Sequence, residues 1–191
     1  MHPTRAALRR ERWPGSGCVV LGPSGYRGGS PFMRPAGRPG VSHVIDGELL
    51  VGEYPTPDDA TWLRDQHGVA TVVCLQDEFD LAAKNLVVGE LEAAYAAAGL
   101  AFHHHPVADG DAASLASRLP AILAVIAAAL ASGRRVYVHC NAGFNRAPTV
   151  AIAFLRAHRG LSDDEAWSHV KQRRACAPYR RALELHFGDP R

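Results

Sequence analysis

Cysteine is scarce and scattered in this chain. The 191 residues hold four, Cys18, Cys74, Cys140 and Cys176, with neither the CxxC spacing of a zinc site nor the density of a disulfide-stapled fold. A disulfide framework and a structural zinc centre are therefore excluded, and a reducing compartment, the cytoplasm, is the expected location. A charge imbalance is also missing: 21 Lys and Arg stand against 19 Asp and Glu, a net charge of +2. Nothing global calls for nucleic acid, and any preference for anions must be local. No unbroken apolar run approaches the roughly 18 residues of a membrane span; the nearest is Leu119 to Ala131, so no membrane span is expected. No internal repeat is visible.

Acidic residues are nearly absent from residues 1–42, where Glu11 stands alone among Gly, Pro, Ser and Arg. No apolar period of 2 or 3.6 develops there, and disorder is the expectation. Three readings fit the segment: a flexible tail, untranslated sequence upstream of a start at Met33, or an Arg-rich, acid-poor organelle transit peptide. Residues 43–187 have the length of one globular domain, and the chain as a whole has a globular protein's hydrophobic content, 47%.

Strand-like apolar runs alternate with helical patterns from Val41 onward, which predicts an α/β fold with a mainly parallel central sheet flanked by helices. Val44 to Val51 reads as a hairpin about Asp46-Gly47. Thr56-Pro57-Asp58-Asp59 opens a helix that Gly68 closes. Val69 to Leu75 is a continuous β-branched run of the kind a strand covered on both faces shows. A polar loop, an Ala-rich helix ending at Gly99 and a strand from Leu100 to His105 follow. Ser114 is expected to cap a long helix to about Ala131, and Arg134 to His139 forms a strand that runs into Cys140. Pro148 to His158 reads as helix, and Ser162-Asp163-Asp164-Glu165 is a capping box for one more.

The segment His139-Cys140-Asn141-Ala142-Gly143-Phe144-Asn145-Arg146, between that strand and that helix, has legible chemistry. A short loop entering a helix turns several backbone N–H groups on one anion, and the helix dipole adds to the field. Such a field also stabilises a thiolate, the reactive form of cysteine. Arg146 can close the loop with a bidentate grip on two phosphate oxygens, while Gly143 permits the tight backbone. His103-His104-His105 do not read as a metal site, because consecutive strand residues point to opposite faces. No metal or organic cofactor is called for. Cys74 stands near the end of a strand that should neighbour the one leading to Cys140, so it is either a buried structural cysteine or a reversible redox partner of Cys140.

His139-Cys140-x-Ala142-Gly143-x-x-Arg146 resembles the signature of dual-specificity protein tyrosine phosphatases, over roughly Val41 to Leu185. Within that family the similarity leans toward the plant-type glucan phosphatases, through Cys74-Leu75-Gln76, Arg118-Leu119-Pro120, Arg146-Ala147-Pro148 and Cys176-Ala177-Pro178. The resemblance implies Cys140 as nucleophile, Arg146 as phosphate clamp, and Asn141, Ala142, Gly143, Phe144 and Asn145 as the substrate-binding loop. His139 would orient that loop. An aspartate on the preceding loop would be the general acid, Asp109 by alignment, with Asp111 as the other candidate. Two positions depart from the pattern. Ala147 replaces the Ser or Thr whose hydroxyl assists the second step, with Thr149 as a candidate substitute, and Asn145 stands where glucan-active members have Gly. The implied substrate is a phosphorylated protein, with phosphoglucan as the alternative, and a non-catalytic phosphate-binding module is the reading outside enzymes. The sequence does not speak to oligomeric state.

Overall fold

Five strands, β1 (Val41–Ile45), β2 (Leu49–Gly52), β3 (Val69–Cys74), β4 (Ala101–His104) and β5 (Arg135–His139), form one sheet in the spatial order β1-β2-β5-β3-β4 in the computed structural model, which describes residues 37–188. The β2–β5, β5–β3 and β3–β4 pairs are parallel, and only β1 runs antiparallel, to β2. The mainly parallel α/β sheet expected from the sequence is therefore present. Its hairpin turns at Gly47, whose φ of 74° suits a residue without a Cβ.

Alternation along the strands divides the apolar side chains between two layers. Leu49, Val51, Val136 and Val138 face one core, and Leu50, Val72 and Tyr137 face the other. The second core is closed by Leu63 of α1 (Ala60–His67) and by Leu91 and Tyr95 of α3 (Val88–Ala97). The first is larger. It is closed by α4 (Ala112–Ala131), α5 (Arg146–Arg159), α6 (Asp163–Arg173) and α7 (Arg180–Phe187). A strand buried on both faces has no polar side to show, which is why β3 reads as a continuous β-branched run.

Several boundaries differ from the sequence reading. β1 begins at Val41, and the chain before it is already tied down: the Gly40 amide donates to Glu53 Oε2 at 2.9 Å, and Arg38 pairs with Asp59 at 2.8 Å. The domain therefore starts before residue 43, while residues 1–36, where the remainder of the expected disordered segment lies, are outside the described residues. Helix α4 starts at Ala112, capped by Asp111, whose Oδ1 accepts from the Ser114 amide at 2.8 Å. Ser114 is thus the donor to the cap rather than the cap. Helix α5 starts at Arg146, and Pro148 sits in its first turn, where a missing N–H costs no intrahelical bond. A short α2 (Glu78–Ala82) occupies the expected polar loop, and α7 was not anticipated.

At 20 residues, with a mean hydropathy of 1.8 over its most apolar window, α4 is long and apolar enough to cross a membrane. The unbroken-run reading missed this because small and polar residues interrupt the helix without abolishing its apolar character. Leu115, Leu119, Ile122 and Ile126 lie on one stripe, fully buried in the larger core. Leu119→Ala is expected to cost about 3 kcal/mol of stability. Exposed Phe79→Ala should stay within about 0.5 kcal/mol. Urea denaturation of both variants checks the pair.

Candidate active site

The loop from Cys140 to Arg146 leaves the C-terminal end of β5 and enters α5. Each carbonyl from Cys140 to Asn145 is held by a donor outside the loop. Asn141 O accepts from the Tyr54 amide at 2.9 Å, and Phe144 O from the Ala177 amide at 2.8 Å. Arg174 donates to Ala142 O at 2.8 Å and to Gly143 O at 2.5 Å. Asn145 O accepts from the Thr149 hydroxyl at 2.8 Å, and Cys140 O lies 3.3 Å from His139 Nδ1. The amides of Asn141 to Asn145 donate to no protein acceptor among the described residues. Since carbonyl and amide of one peptide point in opposite directions, holding the carbonyls outward turns the N–H groups onto the space above Cys140.

Gly143 makes the shape attainable. Its φ is 59°, and a Cβ there would stand 2.5 Å from the Gly52 backbone and from Arg174 Nη2. No other residue fits without displacing β2.

Arg146 closes the site and is 1% exposed. Its Nη1 donates to Asp80 Oδ2 and to Val107 O, both at 2.6 Å. Asp80 spends its other oxygen on Asn141 Nδ2, and Asn141 Oδ1 accepts from Gln76 Nε2 at 2.7 Å. Burial opposes the Arg146 charge, but Cys140, Asp80 and Asp109 outweigh it and hold the guanidinium's pKa above its ordinary value. Arg146 Nε has no aligned hydrogen bond among the described residues, although Asp109 Oδ1 stands 3.3 Å away. That contact is a charge pairing, and it leaves a donor for an incoming anion.

Asp109 is half-exposed at the mouth of the site, and its Oδ1 accepts from the Tyr179 hydroxyl at 2.9 Å. The same hydroxyl accepts from the Gly110 amide at 2.8 Å, which fixes the loop carrying Asp109. Burial is the main reason the Tyr179 hydroxyl is pushed up to about 12, so it stays a donor at neutral pH. Asp111 is spent as the α4 cap. Of the two aspartates, only Asp109 contacts the arginine.

A family model for the dual specificity phosphatase catalytic domain matches residues 63–182. The chain belongs to the dual specificity phosphatase family. It is 34% identical over 150 residues to the amyloplastic phosphoglucan phosphatase DSP4 of Castanea sativa, a match that takes in 77% of this chain and 40% of that protein. It is 37% identical over 70 residues to dual specificity protein phosphatase 1 of Homo sapiens, across 37% of this chain and 19% of that protein. The chain thus spans well under half the length of either relative. The crystal structure of Tk-PTP in its active form superimposes with a TM-score of 0.64 and 27% identity, over 75% of this chain and 92% of that one. This is a family of cysteine-based phosphatases.

Against the family pattern, Thr149 does not stand in for the missing hydroxyl beside Ala147. Its Oγ1 is buried, donates to Asn145 O and accepts from the Tyr179 amide at 2.8 Å. Cys74 lies in register with His139, one residue before Cys140. Burial pushes its thiol up to about 12, and a thiol held neutral is a poor attacker of an oxidised partner. Burial and the raised thiol suit the structural reading of Cys74, while the register sets it beside the strand that leads to Cys140. In the histidine run, His104 Nε2 sits 2.7 Å from Gln76 O, committed to the loop after β3.

Asp80, Tyr179 and Arg174 are the residues contacting the site that sequence reasoning missed. Asp80 had one legible signal: with Asp77 it forms a capping box across α2, its amide donating to Asp77 Oδ1 at 2.7 Å. Asp80→Ala would leave the Arg146 guanidinium buried without its carboxylate. A drop in kcat/KM on an aryl phosphate on the order of 100-fold is expected from steady-state kinetics, as for other positioning losses at a reacting centre.

His139 provides a pH test. Fully buried, with Nδ1 against Cys140 O, its ring is pulled down to about 3 by burial. The unfolded chain protonates this histidine near 6.5 and the folded chain does not, so the stabilisation is present above pH 6.5 and declines as pH falls toward 3. The slope is up to about 1.4 kcal/mol per pH unit. Urea denaturation at pH 7, 6 and 5 should show the native chain losing stability faster than His139→Gln by nearly one proton's worth.

Proposed function

We propose that this chain hydrolyses phosphomonoesters through a phosphocysteine intermediate, with phosphorylated side chains of proteins as its substrates. The observation that carries the reading is the outward anchoring of every loop carbonyl over a buried cysteine. It supports a cradle of amides sized for one tetrahedral oxyanion. In the first step the phosphate seats on those amides and on Arg146 Nε, and Cys140 Sγ attacks phosphorus. The P–O bond to the leaving group breaks as Asp109 gives that oxygen its proton. In the second step the Asp109 carboxylate takes a proton from water, the water oxygen attacks phosphorus, and the S–P bond breaks to return the Cys140 thiolate and free phosphate. With Thr149 engaged elsewhere and Ala147 carrying no hydroxyl, the thiolate leaves without side-chain help from α5, which makes the second step the slower one.

Phosphoglucan is the second reading, favoured by two features. Phe79 and Phe144 are exposed rings near the loop, 83% and 45% accessible, and aromatic faces suit sugar rings. The match to the phosphoglucan phosphatase also runs over most of this chain. Phe79 lines a groove of about 570 Å³ with Asp77, Lys84, Ala108, Asp109 and Asn141. The Lys84 amine sits 5.3 Å over the Tyr54 ring at that wall.

Cys140→Ser is expected to abolish phosphate release. Asp109→Asn should lower kcat/KM, which reports the first step, by about 100-fold to 10,000-fold on an alkyl phosphate and far less on p-nitrophenyl phosphate, whose leaving group needs no proton. Phosphate release from a phosphotyrosine peptide and from phosphorylated glucan, measured in parallel, checks the substrate class. Peptide turnover supports the first reading and glucan turnover the second. Oxyanion binding without turnover of any ester would replace both with a phosphate-binding module.

A further inference from the structure

Arg174 follows the last residue of α6, where the backbone leaves the helix in an extended conformation and directs the half-buried guanidinium at the back of the Cys140–Arg146 loop. Four acceptors receive it. Nε donates to Gly143 O at 2.5 Å and Nη2 to Ala142 O at 2.8 Å. Nη1 reaches Gly40 O at 3.3 Å and Ser42 Oγ at 3.2 Å. The first two carbonyls belong to the peptide units whose amides are those of Gly143 and Phe144, the middle of the cradle. The other loop carbonyls are held mainly by neutral donors, three of them backbone amides.

We infer that Arg174 is a positioning residue for the reaction: it sets the Gly143 and Phe144 amides to receive the phosphate and polarises them from behind, without touching the substrate. A charge-assisted bond to a carbonyl is roughly twice as strong as a neutral one. It also draws electron density through the peptide, so the N–H on the opposite side becomes a better donor. Geometry contributes as well. Gly143 stands in the left-handed region, a conformation a glycine leaves at little cost, and the fork of Arg174 fixes the peptides on both sides of it. Lysine has one donor centre and cannot bridge the two carbonyls in that manner.

The inference rests on the phosphatase reading, so its test uses a signal that does not require turnover. Tungstate serves as the oxyanion, titrated calorimetrically into Cys140→Ser protein to read oxyanion binding without the thiol. Adding Arg174→Ala should weaken tungstate on the order of 10-fold to 100-fold, less than the roughly 100-fold to 1,000-fold effect of removing an oxyanion donor itself, because both amides remain. Arg174→Lys should recover only part of this, and Ser42→Ala, which removes a contact away from the loop, should change nothing. In proteins that retain Cys140, kcat on p-nitrophenyl phosphate should fall in the same order. Tungstate affinity unchanged in both Arg174 variants, with only the melting temperature lowered, would mean a purely structural arginine and overturn the inference. If Arg174→Ala does not fold, the Lys variant decides by the same comparison. A chain that never turns over aryl phosphate would overturn the phosphatase reading, while the tungstate series would still decide Arg174.

Discussion

Everything at this site depends on where six carbonyl oxygens go. A peptide loop can present its amides to an anion only if the oxygens behind them are satisfied elsewhere, because a buried, unpaired carbonyl costs about as much as a lost hydrogen bond. Here the donors come from five separate places: the segment after β2 through Tyr54, β5 through His139, α5 through Thr149, the end of α6 through Arg174, and the segment before α7 through Ala177. The sheet and both ends of the larger helical layer must be in place before the cradle exists. Fold and site are therefore one structure, and the close approach of Gly143 to Gly52 shows how little slack separates them.

Arg146 extends the same logic to charge. A guanidinium buried to 1% exposure needs a carboxylate and further acceptors to be tolerated at all. Asp80 and Val107 O supply them through a single nitrogen, Nη1. Fixing one corner of the group leaves its Nε edge oriented with no protein acceptor competing in good geometry. Asn141 joins the acid to the loop, so the guanidinium and the loop share one anchor.

Much of this was readable from the chain, and the rest has identifiable reasons for being hidden. The parallel strands were legible because burial on both faces makes β3 a continuous β-branched run and puts Val136, Tyr137 and Val138 together in β5. The loop was legible because the cysteine, the glycine and the arginine stand within seven residues of one another. Boundaries failed where two residue types compete for one job. Asp111 and Ser114 are both good helix caps, and the aspartate takes the place by accepting from the serine's amide. Helix α2 was read as loop because five residues cannot develop a period. Arg174 and Tyr179 were invisible for a different reason: their partners lie 31 and 70 residues away, and no local pattern encodes such a meeting.

The resting pocket has one more property, arising from the 3.3 Å approach of Asp109 Oδ1 to Arg146 Nε. The cation is never bare, because the protein supplies its own counter-ion. An anion that enters does not create a new ion pair but exchanges with one already made, as on an ion-exchange resin. A chloride or a simple carboxylate offers the arginine little that Asp109 does not already provide, whereas a phosphate dianion brings twice the charge and enough oxygens to engage the ring of amides as well. On the proposed reading, that exchange would favour a dianion over the abundant monoanions of a cell.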